Sequence, residues 1–308
     1  MLARFSRRFH RWLTFIFGLP LAVVVLTGLM LSFEPVVQQA KPAQPITLAM
    51  IEKALARHDP TSGANRLTIR TLENMLVIGG GRSEASVAID LASGEATAAP
   101  QGIATIFATT RRLHETLLLD LGWLVTGATI AMLLIALLGS LMGLPRIRNS
   151  LSGWHQGAAW LALPFVILSP LTGLALAYGV TFNSPQTSGA GGARVTMADA
   201  VRLVAAEHDL ANLTSIRQRG RTLMARIFVS GELRSFSLNG GRLEPLARNW
   251  PRLLHEGNWG GLAGPIINAM TAIVVAGLLI TGPLIWLRRA LRRRRNKQSL
   301  GRDAPALR

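Results

Sequence analysis

Four long apolar runs constrain the fold of this 308-residue chain more than any other feature. They extend over Trp12–Phe33, Trp123–Leu144, Trp154–Tyr178 and Leu262–Leu287. Each exceeds the roughly 20 residues that an α-helix needs to cross the hydrocarbon core of a bilayer. Because no water is available there to pair with the backbone, each run must satisfy its own peptide groups as a helix. The sequence therefore predicts an α-helical membrane protein with four spans.

The distribution of positive charge predicts the orientation of the chain. Of the 33 Lys and Arg residues, 15 lie in the short segments 1–11, 145–153 and 288–308, where Asp303 is the only acid. The rest of the chain carries 18 basic and 15 acidic residues. Short segments rich in Lys and Arg stay on the cytoplasmic side of a membrane, so we expect both termini in the cytoplasm. We interpret the basic tail as an anchor on anionic lipid headgroups and expect no nucleic-acid partner.

Two pairs of histidines recur at matched positions and indicate an internal repeat. His10 and His155 open the first and third apolar runs, and a Thr-Gly-Leu motif follows each of them after seventeen residues. His114 and His255 each stand in a Leu-His-Glu motif just before the second and fourth runs. Both halves begin on the same side, so the pattern predicts a parallel tandem repeat that packs as a four-helix bundle.

The segments between the spans are long enough for two small α+β domains outside the cytoplasm. Each has an amphipathic helix followed by short alternating stretches that are typical of antiparallel strands. We expect helices near 48–57 and 197–208, and strands near 67–70, 76–78, 85–91, 223–229 and 234–238. The predicted boundaries are 1–34 for the first span with its cytoplasmic N-terminus, 35–116 for the first domain, 117–145 for the second span, 146–153 for a cytoplasmic loop, 154–180 for the third span, 181–258 for the second domain, 259–287 for the fourth span and 288–308 for the basic tail.

The four repeated histidines are candidate haem ligands. On the predicted topology, His10 and His155 share the cytoplasmic level, and His114 and His255 share the outer level about 25–30 Å away. Two imidazoles saturate a haem iron, which suits electron transfer rather than oxygen chemistry. The chain has no cysteine, so the predicted cofactor is non-covalent haem b, two per chain, with bis-His ligation. The alternative is that these amphipathic rings simply lie at the membrane interface.

Haem propionates need cationic partners, and Arg112 and Arg252 are the candidates at the outer level. Phospholipid headgroups are the alternative partners for interfacial arginines. No catalytic residue is predicted beyond the haem ligands. The chain also lacks a G-x-G-x-x-G fingerprint for a dinucleotide. We therefore expect electrons to come from a quinol or from a separate cytoplasmic reductase.

The opening Arg-Arg-Phe-His10-Arg-Trp-Leu, with Gly18-Leu-Pro20 and Leu-Thr27-Gly28, resembles the PepSY-associated transmembrane proteins. These include bacterial iron-regulated inner-membrane proteins and ferric-siderophore reductases. The resemblance covers nearly the whole chain, and the two outside domains are similar to PepSY domains. It implies a multi-pass protein of the bacterial inner membrane that carries electrons outward to a ferric siderophore in the periplasm. It also implies that the family's haem ligands correspond to the four repeated histidines.

Two other functions remain open on the sequence. A non-enzymatic membrane scaffold would use its PepSY-like domains to bind a peptide or restrain a protease. A permease for iron chelates would need a polar path through the membrane, and beyond Asn268 the spans offer little polarity. Ligation of haem by the histidines separates the electron-transfer protein from the scaffold.

Overall fold

The computed structural model describes residues 2–80, 86–98, 102–145, 148–182, 195–239 and 241–302. The chain divides into two compact units. We call Met1–Leu29, Arg112–Ala177 and Ala269–Arg308 the helical unit, and Met30–Arg111 and Tyr178–Asn268 the sheet unit.

The described residues include ten α-helices and eight strands. The helices are α1 Leu2–Leu31, α2 Glu34–Gln38, α3 Leu48–His58, α4 Ile103–Thr116, α5 Gly122–Ser140, α6 Leu151–Leu161, α7 Leu163–Ala177, α8 Met197–Glu207, α9 Trp250–Glu256 and α10 Ala263–Arg302. The strands are β1 Arg66–Arg70, β2 Met75–Gly79, β3 Val87–Asp90, β4 Ala96–Thr97, β5 Leu213–Arg219, β6 Thr222–Val229, β7 Glu232–Asn239 and β8 Arg242–Pro245.

Three helices of the described chain are long and apolar enough to cross a membrane, and a bent pair makes a fourth candidate. The first three lie within Arg4–Gln38, Gly122–Ser140 and Ala263–Asn296. The bent pair is α6 and α7, which meet at an angle of 60°. Pro164 stands at the start of α7, where the absence of a backbone N–H interrupts the ladder of hydrogen bonds from α6. The predicted third span is thus a broken helix.

The helix ends do not coincide with the predicted span boundaries, which stay predictions. Helix α6 begins at Leu151, three residues before the predicted start of the third span, because the Ser150 side chain caps it by accepting from the backbone N–H of Gly153 at 3.1 Å. Helix α10 continues as one helix of 40 residues to Arg302, past the predicted end of the fourth span at 287. The basic tail therefore extends the helix beyond its apolar part, as far as the structure describes it.

The helical unit buries small and branched side chains between its helices and exposes large apolar ones. Val25 of α1, Val166 of α7 and Val275 of α10 form a buried cluster, with Met132 of α5 packed against it. On the outside, Leu19 is 79% exposed. An apolar exterior around a small interior is what a bundle surrounded by lipid requires.

The sheet unit contains one antiparallel sheet of eight strands in the order β4-β3-β2-β1-β5-β6-β7-β8. Its two central strands, β1 and β5, pair with Arg66 opposite Arg217 and Leu67 opposite Ile216. The two segments that the sequence analysis treats as separate domains therefore contribute four strands each to a single sheet. Of these strands, β4, β5 and β8 are not predicted from the sequence, and the start of the predicted strand 85–91 lies outside the described residues at Ala85.

Helices α3 and α8 cover one face of this sheet and share one core with it. Ile51 of α3 and Val201 of α8 are fully buried against Leu67, Leu76 and other strand residues. Each helix begins at a threonine whose side chain accepts a backbone N–H from three residues further on. The other face of the sheet, which we call its second face, carries a group of arginines. It includes Arg66 of β1, Arg217 of β5 and Arg226 of β6.

Candidate functional site

His10 lies on α1, where its ring packs against the second span. Its Nδ1 atom lies 2.9 Å from the carbonyl oxygen of Ile135 on α5. A carbonyl oxygen only accepts, so Nδ1 carries the proton and donates it. The ring lies beside Gly139 of α5, where a Cβ atom would be in van der Waals contact with Cε1 of His10 at 3.6 Å.

His155 lies on α6 and makes an equivalent contact with the fourth span. Its Nδ1 atom lies 2.7 Å from Oγ1 of Thr281, and that hydroxyl donates its own proton to the Gly277 carbonyl at 2.7 Å. Oγ1 therefore accepts from the imidazole. A Cβ atom at Gly282 would lie 3.7 Å from Cε1 of His155.

His114 lies near the end of α4 and contacts the first span. Its Nδ1 atom lies 3.0 Å from the Val24 carbonyl oxygen and 3.0 Å from Oγ1 of Thr27. The Thr27 hydroxyl donates to the Val23 carbonyl at 2.6 Å, so it too accepts from the ring. A Cβ atom at Gly28 would lie only 3.3 Å from Cε1 of His114. In the first copy of the repeated motif, Thr27 and Gly28 thus contact the ring of His114.

These three histidines share one protonation pattern. In each, a neighbouring helix accepts the proton of Nδ1, which makes Nε2 the nitrogen that carries the lone pair. A neutral imidazole that is oriented through Nδ1 and offers Nε2 is the usual metal ligand, and its partner at Nδ1 sets ring orientation and ligand basicity. Within the described ranges, no group of three or more His, Asp or Glu side chains is arranged to hold a metal ion directly. Ligation of haem by these histidines stays a prediction.

His255, the fourth candidate ligand, belongs to the sheet unit and lies on the short helix α9. Gly257 ends this helix in a left-handed conformation with φ of 72°. The Asn268 side chain then donates to the carbonyl oxygens of Leu254 and His255 at 3.2 and 2.9 Å. Asn268, the polar residue noted within the fourth span, therefore fixes the end of the helix that carries His255. The pairing of His114 with His255 stays a prediction.

The two arginines predicted to meet haem propionates differ in their surroundings. Arg112 is exposed on α4. Arg252 of α9 pairs instead with Glu256 one turn further on, at 2.9 Å. Their role at a propionate also stays a prediction.

Positive charge is concentrated on the second face of the sheet. Burial lowers the pKa of the Arg226 guanidinium, and the charges of Arg252 and Arg111 lower it further against the opposing effect of Glu256. Partial loss of hydration likewise lowers the pKa of Arg217, together with the charges of Arg66, Arg226 and Arg111. Arg111 itself forms an ion pair with Glu34. The guanidinium groups on this face therefore outnumber the carboxylates that they meet.

Sequence reasoning identifies the histidines but misses the residues that orient them. Ile135 contributes a backbone oxygen, which has no sequence signature. Thr281 is one of many threonines in the spans, and its role depends on its packing against His155. A glycine in the last turns of both the second and the fourth apolar run, Gly139 and Gly282, is the signal that pattern analysis has available.

Comparison with protein families gives one match over most of the chain. The family described as the PepSY-associated TM region matches residues 7–289. This range includes all four repeated histidines, both sequence segments of the sheet unit and the apolar part of each candidate span. A comparison with curated proteins gives no match.

Proposed function

This chain belongs to the PepSY-associated transmembrane family, and on that premise we propose that it is a haem-bearing inner-membrane protein that transfers electrons to ferric siderophore iron in the periplasm. The observation that carries the proposal is the common protonation pattern of His10, His155 and His114. Three histidines from different parts of the chain each donate Nδ1–H to a neighbouring span and keep the lone pair on Nε2. An interfacial histidine in contact with water has no need of such an arrangement.

His10 and His155 would hold one haem b at the predicted cytoplasmic level, and His114 and His255 a second at the outer level. When bound, each haem supplies a one-electron centre in a medium that otherwise excludes charge. The protein's own part is to orient the ligands. Ile135, Thr281 and the Val24–Thr27 pair accept the Nδ1 protons. Gly28 leaves room for the ring of His114, to which a Cβ atom would come as close as 3.3 Å.

The proposed acceptor is Fe(III) in a siderophore. Fe(III) is a hard ion that suits the oxygen ligands of such chelators, and one-electron reduction weakens this binding without breaking a covalent bond in the chelator. The chain has no dinucleotide fingerprint, so a quinol or a separate cytoplasmic reductase would supply the electron.

Electron transfer across a sealed membrane tests this function. The purified chain is reconstituted into liposomes that contain a trapped ferric siderophore and a ferrous-specific dye, and a membrane-permeable quinol is added outside. We expect dye colour to develop with the wild type and to be lost with the His155→Ala variant. A Trp154→Phe variant, changed next to the ligand but not at it, is the matched control. Equal rates of colour development in protein-free liposomes with the same contents and in liposomes with the wild-type protein would contradict the proposal.

A further inference from the structure

A small polar cavity lies in the sheet unit between β6, β7, the segment 246–249 and α9. Its volume is about 50 Å³, and it opens to solvent. A volume of this kind holds roughly three to four water molecules or the end group of a larger ligand. Its lining includes four arginines and two glutamates, namely Arg226, Arg234, Arg248, Arg252, Glu232 and Glu256.

The ion pairs around this cavity leave an excess of two positive charges. Glu256 forms ion pairs with both Arg252, at 2.9 Å, and Arg226, at 3.5 Å. Glu232 likewise forms ion pairs with both Arg248, at 2.6 Å, and Arg234, at 3.5 Å. Each carboxylate therefore has one short contact and one long contact, and the guanidinium at the long contact is incompletely paired.

Two residues that line the cavity each have a buried side-chain atom without a hydrogen-bond partner within the described part of the chain. One is Nε of Arg234, whose N–H is not directed at Glu232 in hydrogen-bond geometry. The other is Oδ1 of Asn258, a residue that is only 5% exposed. The Nδ2 group of Asn258 donates to Glu256 at 2.8 Å, which fixes the amide so that Oδ1 is the unsatisfied acceptor. Leaving such buried groups unpaired costs free energy, so a ligand that pairs with them gains affinity.

An anionic oxygen group satisfies the excess charge and the free N–H together. Arginine forms short, charge-assisted hydrogen bonds with carboxylates, often two in parallel. The unsatisfied oxygen of Asn258 requires a donor as well, which a hydroxyl group on the same ligand supplies. The cavity thus fits a ligand that has a carboxylate next to a hydroxyl.

We propose that this cavity binds the carboxylate end of a hydroxycarboxylate-type ferric chelate, with Arg234 and Arg248 as its anion ligands. The assignment to a ferric chelate rests on the proposed function, whereas binding of the carboxylate does not depend on haem. The wall formed by Arg252 and Glu256 belongs to α9, the helix that also carries His255. A chelate held there would contact the same helix as a proposed ligand of the outer haem.

Calorimetric titration of the full-length chain in detergent with gallium(III) citrate tests the proposal, because gallium mimics ferric iron without being reduced. We expect saturable binding that is weakened about tenfold or more by Arg234→Gln and by Arg248→Gln. The Arg248 side chain is 40% exposed, so its replacement leaves the fold intact even if the Arg234 variant is destabilised. Arg219→Gln, at an exposed position of β5 outside the cavity, is the matched control and should bind as the wild type does.

Three results would overturn the proposal. The first is no binding of gallium citrate. The second is an equal loss of affinity in the Arg219→Gln control, which would indicate general charge attraction. The third is binding of inorganic phosphate, or of a neutral gallium trihydroxamate, as tight as that of gallium citrate. A protein without haem that still binds gallium citrate through Arg234 would contradict the proposed electron transfer but support this site.

Discussion

Nδ1 of His155 donates to Oγ1 of Thr281, which in turn donates to the backbone of its own helix at Gly277. This chain of hydrogen bonds sets both the tautomer and the orientation of a proposed haem ligand. Ile135 does the same for His10 with a backbone oxygen that no side-chain substitution removes. Thr281 is therefore the position at which the orientation of a ligand can be tested without replacing the ligand itself.

Replacing Thr281 with valine should weaken haem binding at the His10–His155 site. Valine has nearly the shape of threonine but no acceptor for the Nδ1 proton. Loss of such a partner lowers the affinity for a metal centre by about 10–100-fold. The measurement is haem content after gel filtration in detergent. Thr129→Val is the control, because Thr129 bonds only to Val125 of its own helix in the contacts described; equal haem loss in both variants would refute the role of Thr281.

Gly28 should be intolerant of a side chain because His114 occupies the space beside it. A Cβ atom at position 28 would lie 3.3 Å from Cε1 of His114, so even alanine requires the ring to move by a few tenths of an ångström. Gly28→Val should therefore displace His114 and remove the outer haem signal from the absorbance spectrum. Gly18→Val, on the same helix, places its Cβ in open space and should leave the spectrum unchanged. A normal spectrum for the Gly28 variant would show that the ring is not held there.

The caps of α3 and α8 should differ in their dependence on pH. Thr196→Ala and Thr47→Ala each remove a side-chain cap and should each destabilise the protein by about 1 kcal/mol at pH 7. Only Thr196 also bonds to a carboxylate: its hydroxyl donates to Asp199 and holds the pKa of that residue below the ordinary value of 3.8. Met50 occupies the equivalent position in α3.

A lowered carboxyl pKa contributes stability that is present above the pKa of the unfolded chain and is lost as pH falls through the folded-state pKa. The effect of Thr196→Ala should therefore shrink as pH falls below the ordinary carboxyl pKa of 3.8, while that of Thr47→Ala should not. Thermal unfolding at a series of pH values measures both. Parallel pH profiles for the two variants would contradict the explanation.

The junction of β1 and β5 should become more stable when its charges are made complementary. Arg66 and Arg217 lie directly opposite each other there, and like charges in that position are destabilising. Arg217→Glu creates an opposite pair and should stabilise the sheet by about 0.2–1 kcal/mol. Chemical unfolding in detergent measures the change. Arg219→Glu, at an exposed position two residues along, should give a smaller effect; the reverse order would contradict the pairing.

Much of the membrane part follows from the sequence because hydrocarbon leaves the backbone few choices. The apolar runs predict four spans, and the structure has three continuous candidate helices and a bent pair at the position of the third run. The histidine motifs predict haem ligands, and this stays a prediction. The sequence predicts kinks at Pro20 and Pro164, because proline removes a backbone N–H from a helix. Helix α1 continues through Pro20 without a break, whereas Pro164 coincides with the bend between α6 and α7. The difference depends on packing around each proline rather than on the residue itself.

Five of the eight strands in the described residues are predicted from the sequence, but their assembly with the other three into one sheet is not. Alternation identifies β1, β2 and β6, because a half-buried strand has a period of two residues. The pairing of β1 with β5 joins residues about 150 positions apart, and no local pattern encodes such a contact. The cavity arginines are also missed. Arg234 lies on β7 and Arg248 follows β8, so they meet at Glu232 only because the β7–β8 hairpin folds the chain back.

The most direct test of the central claim is the absorbance spectrum of the detergent-purified chain, oxidised and dithionite-reduced, with a pyridine-haemochrome count. The account predicts a low-spin b-type spectrum with two haems per chain, and loss of one haem with the other intact in His155→Ala. A protein that stays colourless after haem is supplied would contradict the account and favour the non-enzymatic scaffold. An unchanged spectrum in His155→Ala would contradict the assignment of His10 and His155 to one haem.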